Sequence, residues 1–217
     1  MAFHPQSQAG AAIYTPSILK LYDWWVHGFS NHYLWQYPTQ QLLATYQQYT
    51  SHNHLEVGAG TGFFLKQVPF SLLNPRLVLM DINEHTLQAA TQALKQYQPA
   101  GVLHDILLAP PLQLPLFDSI AFNYVWHCLP NIPEKDRVFR HLSQFLTPNG
   151  VLFGATLLGQ DISLTLAART TMRMYQNKGI FGNQQDNIRR LEHALSQGFS
   201  RYHIKQYGAA AIFCAWR

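Results

Sequence analysis

Charge is what this chain has least of: only 12% of its 217 residues are Asp, Glu, Lys or Arg, about half the usual share. The 15 basic and 11 acidic residues leave a net charge of +4. No basic run exceeds Arg189-Arg190, whereas nucleic-acid binders gather their basic residues into a patch or stripe. A nucleic-acid partner is therefore not expected. Two cysteines, Cys128 and Cys214, are too few for a disulfide framework and too far apart for a zinc site. They read as buried thiols in a reducing compartment. No apolar stretch approaches the roughly 20 residues that span a bilayer. Met1-Ala2-Phe3-His4-Pro5-Gln6 lacks the charged and then apolar regions of a secretory signal. The expectation is a cytoplasmic protein without a membrane partner, a monomer or homodimer.

What is present is apolar surface and a repeating pattern. Hydrophobic residues make up 47% of the chain, enough for a globular core. Thr15-Pro16 has the form of a helix N-cap followed by Pro, and the aromatic segment Ser17 to His27 follows it. A second helical stretch is expected from Thr39 to Tyr49, with Leu42, Leu43 and Tyr46 at helical spacing. From His54 onward, strand candidates alternate with helical patterns. The strands are His54–Val57, Arg76–Met80, Gly101–Leu103, Ser119–Tyr124 and Val151–Ala155; helical patterns include Glu84–Tyr97 and Glu134–Leu146. Such alternation predicts a parallel sheet with crossover helices.

Further helices are expected at Ile162–Tyr175 and Asp186–Ser196, then an antiparallel hairpin from Tyr202–Tyr207 and Ala209–Trp216. The predicted fold is α/β: a Rossmann-like, doubly wound, seven-stranded mixed sheet ending in that hairpin, with an N-terminal helical lid. One domain would span residues 1–217. Its parts would be a helical prelude or lid (1–50), a core (54–155), an inserted cap helix (160–181), and a last helix with the hairpin (182–217).

The chemistry concentrates at strand ends. Leu55-Glu56-Val57 leads into Gly58-Ala59-Gly60-Thr61-Gly62. Glycines there admit conformations and a close backbone approach that a Cβ would block, and a ligand can then sit near the start of the following helix. A nicotinamide fingerprint needs its third glycine where Phe63 stands, so that reading fails. Asp81 ends the second strand about 20 residues on, where an acidic side chain can accept both ribose hydroxyls. Alone, Asp81 reads equally as the N-cap of the next helix. With the glycine run at the right distance, the ribose role is favoured.

With Glu56 two positions before the glycines, the run resembles the first motif of class I methyltransferases dependent on S-adenosylmethionine (SAM). The likeness continues through Asp81-Ile82, His104-Asp105-Ile106, the Phe117–Pro130 strand and loop, and Leu146-Thr147-Pro148-Asn149-Gly150 turning into the fifth strand. In that turn Asn149 stands for a usual glycine and tolerates left-handed geometry. The prelude and Asn177–Phe181 resemble, less specifically, small methyltransferases of bacteria and of fungal secondary-metabolite clusters.

The resemblance implies a cofactor set of Tyr14, Tyr22, Trp35, Glu56, Gly58, Ala59, Gly60, Gly62, Asp81, Ile82, Asp105, Ile106, Asn123 and Tyr124. Within it, Asp105 would accept the adenine amino group, and Ile106 would pack on the ring. The cofactor would be SAM, leaving S-adenosylhomocysteine (SAH). The fourth motif, Asn123-Tyr124-Val125-Trp126, lacks the Pro-Pro of enzymes that methylate nucleobase amines. Its loop lacks the carboxylates that hold magnesium in catechol-type enzymes, so no metal is expected. Cys128 is separated from Pro130 by Leu129, unlike a pyrimidine-attacking cysteine.

The expected activity is in-line transfer of methyl to an N, O, S or C nucleophile of a small aromatic or heterocyclic metabolite. His127 is the candidate general base and Tyr14 a second catalytic candidate; a satisfied structural histidine is the competing reading of His127. Trp24, Trp25, His127, Arg169, Arg173 and Tyr175 are the candidate substrate contacts. Lid aromatics present ring faces that suit a sulfonium, although ordinary packing explains many of them equally. Two alternatives stay open, an RNA or protein methyltransferase and a non-catalytic SAM-binding module.

Overall fold

The computed structural model describes residues 4, 35, 39–70, 75–109, 111 and 114–217. Seven strands form one sheet: β1 (Asn53–Val57), β2 (Arg76–Asp81), β3 (Ala100–Leu103), β4 (Phe117–Phe122), β5 (Leu146–Leu157), β6 (Arg201–Tyr207) and β7 (Ala210–Trp216). Their order is β3-β2-β1-β4-β5-β7-β6. The first five pair in parallel, and β7 alone runs against its neighbours β5 and β6. This is the expected mixed sheet with its C-terminal hairpin.

Alternation along the strands explains why both faces need helices. Leu55, Val57, Val78, Met80, Ile120 and Phe122 point into one core; Leu79, Ala121, Phe153 and Ala155 point into the other. A strand buried on both faces cannot be satisfied by one layer of cover. Helices α3 (Arg137–Gln144) and α5 (Ile188–Ser196) cover the first face through Val138, Phe139, Leu142, Leu191 and Leu195. Helices α1 (Thr39–Tyr49), α2 (Glu84–Ala93) and α4 (Leu166–Asn177) cover the second through Leu42, Tyr46, Leu87, Ala90, Ala168 and Met172. Helix α4 falls where an inserted helix was expected and is N-capped by Thr165, whose side chain accepts from Ala168 N–H.

Two local expectations are corrected. The glycine run is followed by a single 3-10 turn, Leu65–Gln67, where a longer helix was expected. Gly150 and Asn149 are not left-handed. Instead β5 begins early, and its register against β4 slips between Phe117↔Leu146 and Ser119↔Val151. A Cβ on Gly150 would lie 2.8 Å from Leu146 Cδ2 and 3.0 Å from Phe117 O. Close packing across this bulge, rather than backbone handedness, is what requires glycine. The expected prelude helix Ser17–His27 lies outside the described residues.

Candidate active site

The carboxyl ends of β1, β2 and β4 meet beneath the glycine run. Gly58 N–H donates to Met80 O at 2.8 Å, tying the loop to β2. Gly58, Gly60 and Gly62 have φ of 78°, 52° and 74°, a region that side chains with a Cβ rarely adopt. A Cβ on Gly58 would stand 2.1 Å from Val125 Cγ2, whereas one on Gly60 would meet nothing within 4 Å. Gly60 therefore faces open space at the lip of a cavity.

That cavity, open to solvent, has about 820 Å³ of empty space and is lined by residues that include Asp81, Ile82, Thr86, His104, Asp105 and Ile106. Val125, Cys128, Leu129 and Pro130 also line it. A smaller cavity of about 420 Å³ reaches Tyr46, Glu56, Thr61 and Phe64. The two share Gly58, Gly60, Asn123 and Tyr124. They sit where open α/β sheets bind ligands, outside the carboxyl ends of the strands.

Each end carries a held carboxylate. Asn83, rather than Asp81, caps α2, its side chain accepting from His85 and Thr86 N–H. Asp81 is thus left to the cavity. Burial pushes its carboxyl up to about 6, while backbone N–H groups of Asn83, Ala59, Ile82 and Gly60 pull it back. At neutral pH it is an anion in poorly hydrated surroundings, a strong acceptor for hydroxyl donors. Glu56 lines the smaller cavity. Tyr46 OH donates to its Oε1 at 2.6 Å, and His54 Nε2 lies 3.2 Å from its Oε2. His54 Nδ1 in turn meets Ser119 Oγ at 2.8 Å. Asp105 is buried; its Oδ1 accepts from Leu107 N–H at 3.0 Å and its Oδ2 from His4 N–H at 2.9 Å.

Between the two cavities, Asn123 directly follows β4. It is 8% exposed and its Oδ1 has no partner among the described residues. Next to it Tyr124 has φ 57°, costing roughly 1–2 kcal/mol for a residue with a Cβ. Its N–H donates to Ala155 O at 2.8 Å, which helps hold it there. Strain and an orphaned buried acceptor at one place are features of functional sites.

Several expected contacts fall elsewhere. His127 lines neither cavity. It is 3% exposed, its Nδ1 accepts from Leu157 N–H at 3.3 Å, and its ring packs edge-on to Phe181. Burial, followed by the nearby Lys135 charge, pushes its imidazole down to about 3. In this structure the candidate base is therefore an enclosed imidazole packed against Phe181, away from both cavities. Arg169 and Arg173 are exposed on α4, and Tyr175 packs its ring 5.0 Å from Phe181; none of the three lines either cavity. Trp35 is likewise not at the cavities: it is buried beside Phe181, and its carbonyl accepts from Ala209 N–H at 3.1 Å. Tyr14, Tyr22, Trp24 and Trp25 lie outside the described residues. Among the described residues, no cluster of three or more His, Cys, Asp or Glu could hold a metal.

Sequence reasoning missed Thr86, His104 and Tyr46 as lining residues. His104 stood beside Asp105 in the third motif and carried the only usable signal. Thr86 and Tyr46 read as ordinary helix positions.

Residues 55–152 match the family described as the methyltransferase domain. The chain is 33% identical over 208 residues to the demethylluteothin O-methyltransferase of Streptomyces thioluteus, covering 95% of this chain and 90% of that one. It is 40% identical over 192 residues to the Escherichia coli (strain K12) protein YbcY, covering 87% and 97%. Among solved structures, it is similar to the N-methyltransferase NodS from Bradyrhizobium japonicum WM9, in complex with S-adenosyl-L-homocysteine. That likeness has a TM-score of 0.59 at 17% identity, over 82% of this chain and 84% of that one.

Proposed function

This chain belongs to the methyltransferase-domain family, and from that premise we propose that it methylates an oxygen or nitrogen of a small aromatic or heterocyclic metabolite, using SAM. The observation that carries the proposal is the pair of cavities joined across Gly58, Gly60, Asn123 and Tyr124. SAM is a nucleoside joined through a sulfonium to an amino acid, and each part finds matching groups. Asp81 would accept the ribose hydroxyls, Ile82 and Ile106 would flank the base, and Glu56 would face the cationic amino-acid end. Gly60 leaves the space such a ligand needs.

When bound, SAM supplies a sulfonium-activated methyl, whose carbon–sulfur bond breaks as the acceptor's lone pair attacks in line, leaving SAH. The protein's part is to hold the reacting atoms in line, which is worth several kcal/mol. Asn123 and Tyr124 stand where the two cavities meet, the place that the sulfonium would occupy. The unpartnered Asn123 carbonyl presents negative charge there without reorganising.

The nature of the acceptor follows from what the described pocket holds. His127 is enclosed and neutral, and Asp81 and Asp105 stand at the nucleoside end. Among the described residues the junction carries no histidine or carboxylate, which suits an acceptor that brings its own nucleophilicity, as an acidic phenol or enol or as an amine. The O-methyltransferase relative is consistent with this.

Incubation of the full chain with methyl-labelled SAM and a metabolite extract, followed by mass spectrometry, tests the proposal. Label should appear in low-molecular-weight phenols, enols or amines. Stoichiometric SAM binding without any labelled product would instead favour a non-catalytic binding module.

A further inference from the structure

On the face that α1 covers, strand β1 carries buried polar side chains where its surroundings are apolar. His54 and Glu56, two residues apart, point to that face, and His54 sits opposite Ser119 of β4 in register. His54 and Ser119 are wholly buried, and Glu56 is 5% exposed. Ser51 N–H donates to Ser119 Oγ at 2.8 Å, and Ser119 Oγ lies 2.8 Å from His54 Nδ1. His54 Nε2 in turn lies 3.2 Å from Glu56 Oε2. Tyr46 OH closes the chain from α1, donating to Glu56 Oε1 at 2.6 Å. The His54 ring is stacked on Phe153, its centre 6.0 Å away.

A buried polar network costs stability unless every member is satisfied. An apolar side chain at position 54 would pack on Phe153 without that cost. Every link of this network is made, and it ends on one group that lines a cavity: Glu56 lines the smaller cavity, and His54 lines neither. An ionised carboxylate only accepts, so the hydrogen between Glu56 and His54 belongs to Nε2, whichever way the Ser119 hydroxyl turns. Tyr46 and His54 thus place one donor on each oxygen, which stops the carboxylate turning about its last bond. A carboxylate can accept more than two hydrogen bonds, so Glu56 keeps capacity for a donor that enters the cavity.

Resting on the SAM reading above, we infer that His54 is a positioning residue for the amino-acid end of the cofactor. Anchored by Ser119, it holds the Glu56 carboxylate in place for an entering ammonium. His54 lines neither cavity, so it acts through Glu56 alone. Without that donor Glu56 keeps only Tyr46, and it can then turn or take up a proton. Either change takes negative charge away from the ammonium. The nucleoside end, held at Asp81 on β2, is left as it was.

Calorimetric titration of the full chain with SAH and with 5′-methylthioadenosine tests this. The second ligand keeps the nucleoside and the thioether but lacks the amino-acid end. Wild type should bind SAH the more tightly. His54→Phe, which retains a ring against Phe153 and loses both polar contacts, should weaken SAH binding by roughly tenfold and leave 5′-methylthioadenosine within about twofold. His54→Gln, whose amide can still donate to Glu56, should recover most of the SAH affinity. Ser119→Ala frees His54 from behind and should weaken SAH binding by about threefold, again sparing the shorter ligand. It carries the test alone if His54→Phe does not fold. Wild type that binds neither ligand would overturn the SAM reading itself. Equal wild-type affinity for the two would overturn Glu56 as the partner of the ammonium, and the role of His54 with it. Wild type that prefers SAH, with a His54→Gln variant no tighter than His54→Phe or with variants that weaken both ligands equally or neither, would overturn the positioning role and leave the SAM reading standing.

Discussion

The protein buries polar groups in two places, and it treats them in opposite ways. In the turn that leads into α3, Lys135 is wholly enclosed, its Nζ donating to Asp186 Oδ2 at 2.6 Å and to Gly182 O at 2.7 Å. The ammonium also lies 4.7 Å from the Trp126 ring centre. Arg190 closes the network onto Asp186 and Asp136. Each of these charged groups has a partner there, and none of them lines either cavity. At the carboxyl ends of β1, β2 and β4, by contrast, Thr86, His104 and Asn123 keep orphaned atoms, and Tyr124 carries backbone strain. The first arrangement has satisfied itself and secures the loop after α4 against the β4–α3 connection. The second is incomplete without a ligand. Completeness is what separates a buried polar cluster that builds the fold from one that serves the site.

Breaking a partner in each region should therefore give opposite signatures. The largest effect is expected for Lys135→Met, which strips Asp186 of its closest cation in the core. Loss of one member of a buried pair costs roughly 3–5 kcal/mol, and thermal or denaturant unfolding would register it. Adding Asp186→Leu should recover part of that loss; a single variant as stable as wild type would remove the contrast. Asp81→Ala should do the reverse. Its carboxyl is raised to about 6, chiefly by burial, so the ionised group weakens the fold at neutral pH. The variant should unfold no more readily than wild type, yet bind SAH at least about tenfold more weakly, the loss of a charged acceptor.

Acid sharpens the same comparison. Asp81 must be ionised to accept hydroxyls at full strength, and its folded-state value near 6 lies above the ordinary 3.8. SAH affinity should therefore weaken as pH falls from 7 through 6 to 5, and Asp81→Asn should flatten that dependence. Stability moves the other way. For a carboxyl with a raised folded-state value, the advantage is complete below the ordinary value and lost as pH rises through about 6. A pH-independent SAH affinity in wild type would count against Asp81 as the ribose acceptor.

The sheet was legible because short apolar runs alternating with helical patterns admit few other arrangements. The glycine run and Asp81 were legible because their spacing meets a geometric demand of the strand ends. His127 was not. Pattern places it just past β4 but does not say which way the chain turns, and the 3-10 turn Trp126–Cys128 puts it into the core. Thr86 was hidden for a related reason: a threonine in the first turn of α2 looks like a surface position until the wall opposite it is known. Gly150 fits two explanations equally in sequence, and only the β4–β5 register distinguishes close packing from handedness.

The smallest effect is expected at His127. Once an acceptor has been identified, His127→Asn should keep turnover within about threefold, because a transfer to a self-ionising acceptor needs no base. A folded variant slowed by more than roughly a hundredfold, with the loss reversed at high pH, would restore the base role.

The central claim is that the incomplete region is a SAM site, and a crystal structure of the full chain with SAH tests it most directly. The account predicts ribose hydroxyls within about 3 Å of Asp81 and sulfur beside Asn123 and Tyr124. The amino-acid end should lie toward Glu56. SAH bound elsewhere, or its ribose turned away from Asp81 in a fully occupied site, would contradict it.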